Sequence, residues 1–150
     1  MITYHNGNLL ESGCDIICHQ VNLQGVMGGG LALQIATKHP NCEEQYKEVL
    51  KRFDMRGNVH FFCYGDKGYN KYIANCFSQE LNFDTNYEWV KSCFKKILGF
   101  VKLQNIETIG VPFKYGAGIA NGDWNKIENI FKEIFENENN IDFQIWKLWE

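Results

Sequence analysis

The residues of this chain best suited to bind and act on a small ligand fall in two glycine-rich runs, Gln24-Gly-Val-Met-Gly-Gly-Gly-Leu31 and Lys114-Tyr-Gly-Ala-Gly-Ile-Ala-Asn-Gly-Asp123. Glycine reaches positive φ and lets a ligand approach the backbone. A helix starting just beyond such a turn offers unpaired N–H groups and a partial positive charge. Each run could therefore cradle an anion, the alternative being tight turns and close helix packing alone. The first run lacks the Lys-Ser/Thr of a P-loop, and its glycines do not follow the first strand with dinucleotide-fold spacing.

Polar and aromatic candidates flank both runs. His19 and Asn22 end an apolar stretch, Asp15-Ile-Ile-Cys-His-Gln-Val-Asn22, and Asp123 closes the second run. Asp123 could instead cap the helix that follows, and a lone strand histidine is often simply packed. Phe77, Phe113 and Tyr115 are candidate stacking surfaces, with a core role as the alternative. Asn75, Ser78 and Gln79 lie at the end of a second apolar stretch. Cysteines at 14, 18, 42, 63, 76 and 93 include no Cys-x-x-Cys pair, and no His-x-x-x-His completes a tetrahedral site. No metal is expected, and Cys18, Cys63 and Cys76 read as small hydrophobes in a reducing compartment.

Alternating strand and helix signals position these residues. Strands are expected at Ile2 to Tyr4, Asp15 to Asn22, Asn58 to Tyr64, Tyr72 to Phe77, Thr108 to Phe113 and Asp142 to Leu148. A turn at Gly65 to Gly68 makes the third and fourth a hairpin or adjacent pair. Helices are expected from Leu31 to the Pro40 stop, over Glu43 to Phe53, over Tyr87 to Leu103 and over Trp124 to Phe135. Tyr46, Val49, Leu50 and Phe53 mark the second helix's inner face. Strands separated by helices predict a mainly parallel sheet covered on both faces, with ligands beyond the strands' carboxyl ends. Both glycine runs lead from a strand into a helix at that end.

The 150 residues suit one domain, and 45% hydrophobic residues suffice for a core. Fifteen basic against eighteen acidic residues give a formal charge of −3, which argues against a duplex nucleic-acid partner. No apolar run approaches the ~20 residues of a membrane span, and the start lacks a signal-peptide pattern. A cytoplasmic location is the expectation.

Gly7-Asn8-Leu9, Ile17-Cys-His-Gln-Val-Asn22, Gly25-Val-Met-Gly-Gly-Gly-Leu-Ala32 and Val111-Pro-Phe-Lys-Tyr-Gly-Ala-Gly-Ile-Ala-Asn-Gly-Asp-Trp124 together resemble the macro domain family. The resemblance runs along essentially the whole chain and is nearest to the compact subgroup that processes ADP-ribose-1″-phosphate, which adjoins terminal ADP-ribose glycohydrolases. It implies one three-layer α/β/α domain over residues 1–150 with a mixed, mainly parallel sheet.

The implied ligand is ADP-ribose or a derivative such as ADP-ribose-1″-phosphate, with ADP-ribosylated protein as a further partner, no cofactor, and a monomer. Its pyrophosphate would lie between the two loops. Asn22 would hold the distal ribose, with Gly25, Val26, Gly28, Gly29, Gly30 and Leu31 on one side. Tyr115, Gly116, Ala117, Gly118 and Ile119 would meet phosphate through backbone N–H groups. Asn8, beside Leu9, falls where many relatives carry an acidic residue that reads adenine. Phe77, Gln79 and Phe113 would border the sugar or base. Hydrolysis at the distal ribose would draw on Asn22 for orientation and on Asp123 or His19 as base, and an unperturbed imidazole would give a pH limb between about 5 and 8. The related glycohydrolases use a lysine in the segment here occupied by Ser78 to Leu81 and an acidic residue where Ala120 stands, so a lysyl covalent intermediate is not expected. The alternative to an enzyme is a module that only reads ADP-ribose.

Overall fold

The computed structural model describes residues 1–65, 70–118 and 120–148. Strands β1 (Ile2–Asn6), β2 (Ile16–Gln20), β3 (Val59–Tyr64), β4 (Lys71–Cys76), β5 (Thr108–Pro112) and β6 (Asp142–Lys147) form one sheet. Its order is β1-β6-β5-β2-β4-β3, and every pairing is parallel except that of β3 with β4. Helices α1 (Gly30–Lys38) and α2 (Pro40–Arg52) cover one face, and α3 (Tyr87–Leu103) and α4 (Trp124–Phe135) cover the other. This is the expected three-layer α/β/α arrangement around a mixed, mainly parallel sheet.

Helix α3 spans the residues that its apolar stripe predicts. Asn86 starts it by accepting a hydrogen bond from the Trp89 N–H, and Val90, Cys93, Phe94, Ile97 and Val101 are buried along one side. Phe94 sits at the centre of this layer, 4.6 Å from the Phe131 ring of α4 and 5.3 Å from the Tyr115 ring. The opposite layer is smaller, built on Ile35, Cys42, Tyr46, Ile73 and Phe77.

Three local readings differ from the structure. Pro40 does not merely stop α1: His39 ends α1 and begins α2, with Pro40 in the first turn, where its missing N–H costs nothing. Phe53 lies just past α2 and is 63% exposed, so the inner face of that helix ends at Leu50. Cys63 is exposed on the edge strand β3, unlike the buried Cys18 and Cys76. A short 3-10 turn, Leu9–Glu11, follows β1. Of the turn expected at Gly65 to Gly68, residues 66–68 lie outside the described residues.

Candidate functional site

Strands β2 and β5 are paired at Ile16–Ile109 and Ile17–Gly110, and beyond that register their connections diverge. From β2 the chain leaves toward α1 and the β3/β4 side, and from β5 it leaves toward α4 and β6. Such a switch point opens a crevice at the carboxyl ends of the strands. Here it holds a cleft of about 340 Å³, lined among others by His19, Gly29, Leu31, Gln79, Phe113, Lys114 and Gly118. Both glycine runs therefore border the same cleft. A larger hollow of about 520 Å³ at the other end of the sheet holds neither glycine run, and two of its residues, Lys102 and Glu138, are already paired at 3.0 Å.

The first wall is the start of α1. Gly30, the first helical residue, has φ +55°, which accounts for a glycine there, and Gly29 before it is extended with open space where a side chain would project. No side chain caps this helix, so its first N–H groups are left for solvent or a ligand. Gly25, earlier in the same run, has φ +79°, and Val26 is 56% exposed.

The second wall is the loop after β5. Gly116 has φ +68°, and a Cβ on Gly122 would collide with the Gly116 carbonyl oxygen. The loop is tied down from beneath by a polar network. Thr85 donates its hydroxyl to the Gly116 carbonyl at 2.6 Å, and the Gln20 amide donates to Ser78 Oγ at 2.9 Å and to Thr85 Oγ1 at 3.2 Å. Ser78 Oγ is in turn 2.7 Å from the Tyr115 hydroxyl. Ala117 packs against the core below the loop, and Gly118 has open space around it.

Several expected contacts are corrected. Tyr115 is 2% exposed, and its ring belongs to the Phe94 cluster, so it is no stacking surface; its N–H donates to the Pro112 carbonyl at 3.0 Å and that of Ala117 to the Lys114 carbonyl at 2.8 Å, so neither is left for phosphate. Phe77 is fully buried against Tyr46 at 5.6 Å. Phe113, also on the cleft lining, is the one of the three that is only half-buried, with Trp124 edge-on at 5.2 Å. Leu9 is core, close enough to β5 that a Cβ on Gly110 would meet its Cδ1 at 2.7 Å. Asn8 caps the 3-10 turn by accepting from Leu10 N–H.

Of the three catalytic candidates, two are committed elsewhere. Asn22 Oδ1 accepts from the Tyr46 hydroxyl at 2.6 Å and from the N–H groups of Gln24 and Val26, while its Nδ2 donates to the Val26 carbonyl at 2.8 Å. Its amide organises the first loop, and Asn22 lies outside the cleft lining. Asp123 caps α4, accepting from Asn125 N–H at 2.9 Å, and it is exposed and outside the cleft lining. His19 does line the cleft. It is 2% exposed, and its Nε2 lies 2.5 Å from Asn75 Oδ1. Burial lowers its pKa to about 4, partly opposed by the Asn75 hydrogen bond, so the ring is neutral near pH 7.

Sequence reasoning missed Gln20, Ala32, Pro112, Lys114 and Ala120 on the cleft and Thr85 beneath it. Gln20 was legible in the polar end of the β2 run. Lys114 was not, because it enters by a left-handed backbone, φ +61°, that non-glycine residues seldom adopt. Ile119 lies outside the described residues. Among the described residues, no three His, Cys, Asp or Glu side chains are grouped to hold a metal ion.

An α/β/α domain with a cleft between two glycine turns at its switch point is the class that fold and site define. Comparison with solved structures narrows it: the macrodomain of Mycobacterium tuberculosis DarG superposes with a TM-score of 0.86 and 26% identity, covering 97% of both chains. The chain therefore has the macrodomain fold and is similar in sequence to a macrodomain along nearly its whole length. No family model matches it. Among curated proteins, it is similar to the DNA ADP-ribosyl glycohydrolase of M. tuberculosis, with 27% identity over 157 residues covering 97% of this chain and 42% of that protein. It is also similar to the ADP-ribose 1″-phosphate phosphatase of Candida glabrata, with 42% identity over 57 residues, 37% of this chain and 32% of that protein. The chain thus spans less than half the length of the curated relatives it matches.

Proposed function

We propose that the cleft binds ADP-ribose or a close derivative and hydrolyses it at the distal ribose. The bond broken would join that ribose to a phosphate, as in ADP-ribose-1″-phosphate, or to an ester-linked partner. The reading is metal-independent and involves no lysyl covalent intermediate. The observation that carries it is the pairing of two glycine turns, at Gly29 and Gly116 to Gly118, across one switch-point crevice floored by His19. The activities named for the glycohydrolase and phosphatase relatives support the same ligand class.

The uncapped start of α1 and the loop at Gly118 would share the pyrophosphate charge, with Lys114 as the nearest cleft cation. The Phe113 ring at the cleft already carries Lys147 Nζ at 5.2 Å and Lys114 Nζ at 5.7 Å from its centroid, so it holds those cations at the cleft edge. Phosphomonoester cleavage then needs a water placed against phosphorus and a proton for the departing sugar oxygen, and His19 is the ionisable group left on the cleft floor to order that water or the ribose.

A second reading, a module that binds ADP-ribose without turnover, is favoured by one observation. With Asn22 and Asp123 engaged elsewhere, His19 remains alone as base, and a pKa of about 4 makes it a weak one. Phosphorus NMR of ADP-ribose-1″-phosphate incubated with the protein, beside calorimetry of ADP-ribose, separates the two. Conversion to inorganic phosphate and ADP-ribose is expected, whereas tight binding with both this phosphate and an ADP-ribosylated glutamate peptide left intact would establish the reader.

A further inference from the structure

Asn75 stands between two imidazoles. In the parallel register of β2 and β4 it lies beside His19, and in the antiparallel register of β4 and β3 it lies beside His60. The three side chains make one polar row across the sheet face covered by α1 and α2. His19 Nε2 is 2.5 Å from Asn75 Oδ1, and Asn75 Nδ2 is 3.0 Å from His60 Nδ1. The same Nδ2 lies 3.5 Å from Cys42 Sγ on α2, and His60 Nε2 lies 3.3 Å from Gln45 Oε1.

The row leaves one atom over. His19 Nδ1 is the one buried side-chain nitrogen or oxygen among the described residues that has no hydrogen-bond partner, and it belongs to a residue lining the cleft. A polar atom in that position is costly to bury unless something arrives to meet it.

An amide has two unlike ends, an oxygen that only accepts and an NH2 that only donates. With the oxygen toward His19 and the NH2 toward His60, His19 carries its proton on Nε2 and His60 leaves Nδ1 bare. Gln45 Oε1 accepts from the His60 Nε2–H at the far end. Every donor then points the same way, and the row ends at a lone pair on His19 Nδ1. Burial lowers the pKa of both imidazoles, which keeps both rings neutral, as a single direction of bonding requires.

We propose that Asn75 and His60 are positioning residues that hold His19 in its Nε2–H tautomer, so that its bare Nδ1 accepts a hydroxyl proton from a ribose in the cleft. The proposal rests on the ADP-ribose reading of the site. It assigns the cleft floor a preference for a sugar with a free hydroxyl at that point.

Histidine tautomers are read from long-range nitrogen–proton correlation spectra of protein labelled with 15N-histidine, at pH 7 and without ligand. His19 is expected as one neutral species with a protonated, pyrrole-type Nε2 and a bare, pyridine-type Nδ1. Saturating ADP-ribose should move the Nδ1 resonance, and AMP, which lacks the distal ribose, should not. His60→Leu should give mixed His19 tautomers and ADP-ribose affinity lower by about five- to tenfold, the worth of one neutral hydrogen bond. His60→Gln, whose amide oxygen can accept from Asn75, should restore both, and Asn75→Leu should repeat the His60→Leu result if circular dichroism shows it folded. An Nδ1–H tautomer in the free wild type, an unmoved Nδ1 resonance with ADP-ribose demonstrably bound, or His60→Leu identical to wild type would overturn the proposal. Failure of ADP-ribose to bind at all would instead remove the ligand assignment, and the ligand-free spectrum tells that failure from a wrong tautomer.

Discussion

Burial gives His19 a chemistry that its sequence position does not announce. A lone histidine at a strand end suggests titration near pH 6.5, whereas the folded ring titrates at about 4 because desolvation penalises its charged form. Any pH limb of activity due to His19 should therefore lie near pH 4 and not between 5 and 8. The same shift couples to folding. Between pH 4 and 6.5 the unfolded chain binds the proton and the folded one does not, so stability falls as pH drops through that window and levels off below it. The size is roughly 3.5 kcal/mol, from a pKa lowered from 6.5 to about 4 at about 1.4 kcal/mol per pH unit. Burial-depressed His39 and His60 act in the same direction. Urea unfolding of His19→Gln across this range should show a flatter pH dependence than wild type, and equal slopes would contradict the assignment. Asp123 has a capping role: its carboxylate serves the first turn of α4, so Asp123→Ala should cost about 1 kcal/mol of stability and leave ADP-ribose affinity unchanged. A large loss of affinity in calorimetry would return Asp123 to the cleft.

At the scale of elements, the two glycine turns divide into positions that must stay glycine for the backbone and positions open to a ligand. A Cβ added at Gly29 or Gly118 would meet nothing within 4 Å, and neither residue has positive φ. Gly29→Glu and Gly118→Glu should keep the wild-type circular dichroism while abolishing ADP-ribose binding, because each puts a carboxylate where phosphate is expected. Undiminished affinity in both would displace the ligand from between the loops. Gly122→Ala should instead distort the loop, since its Cβ would strike the Gly116 carbonyl. The elements themselves were largely legible, because α3 and α4 carry full apolar stripes and the strands are bounded by turn residues. What the sequence withheld were tertiary choices. Phe77 and Tyr115 are aromatics at strand ends, and only packing decides that they enter the core while Phe113 stays on the cleft. The His19–Asn75–His60 row depends on the register of three strands, two of them paired across an antiparallel edge that local patterning does not fix.

For the whole molecule, the sheet order places the diverging ends of β2 and β5 opposite each other, and the two loops meet only because of that topology. In the proposed chemistry, charge in the cleft would be met by the uncapped start of α1 and by Lys114, without a metal. EDTA should therefore leave ADP-ribose affinity and any turnover unchanged, and loss of either with restoration by one divalent ion would contradict the metal-independent reading. The most direct measurement is calorimetric titration of wild type and Gly118→Glu with ADP-ribose and with AMP. Saturable one-to-one binding of ADP-ribose to wild type, much weaker binding of AMP, and no heat of binding with Gly118→Glu are predicted. Equal affinity for AMP and ADP-ribose, or no binding of either to wild type, would contradict a cleft built to hold pyrophosphate and distal ribose.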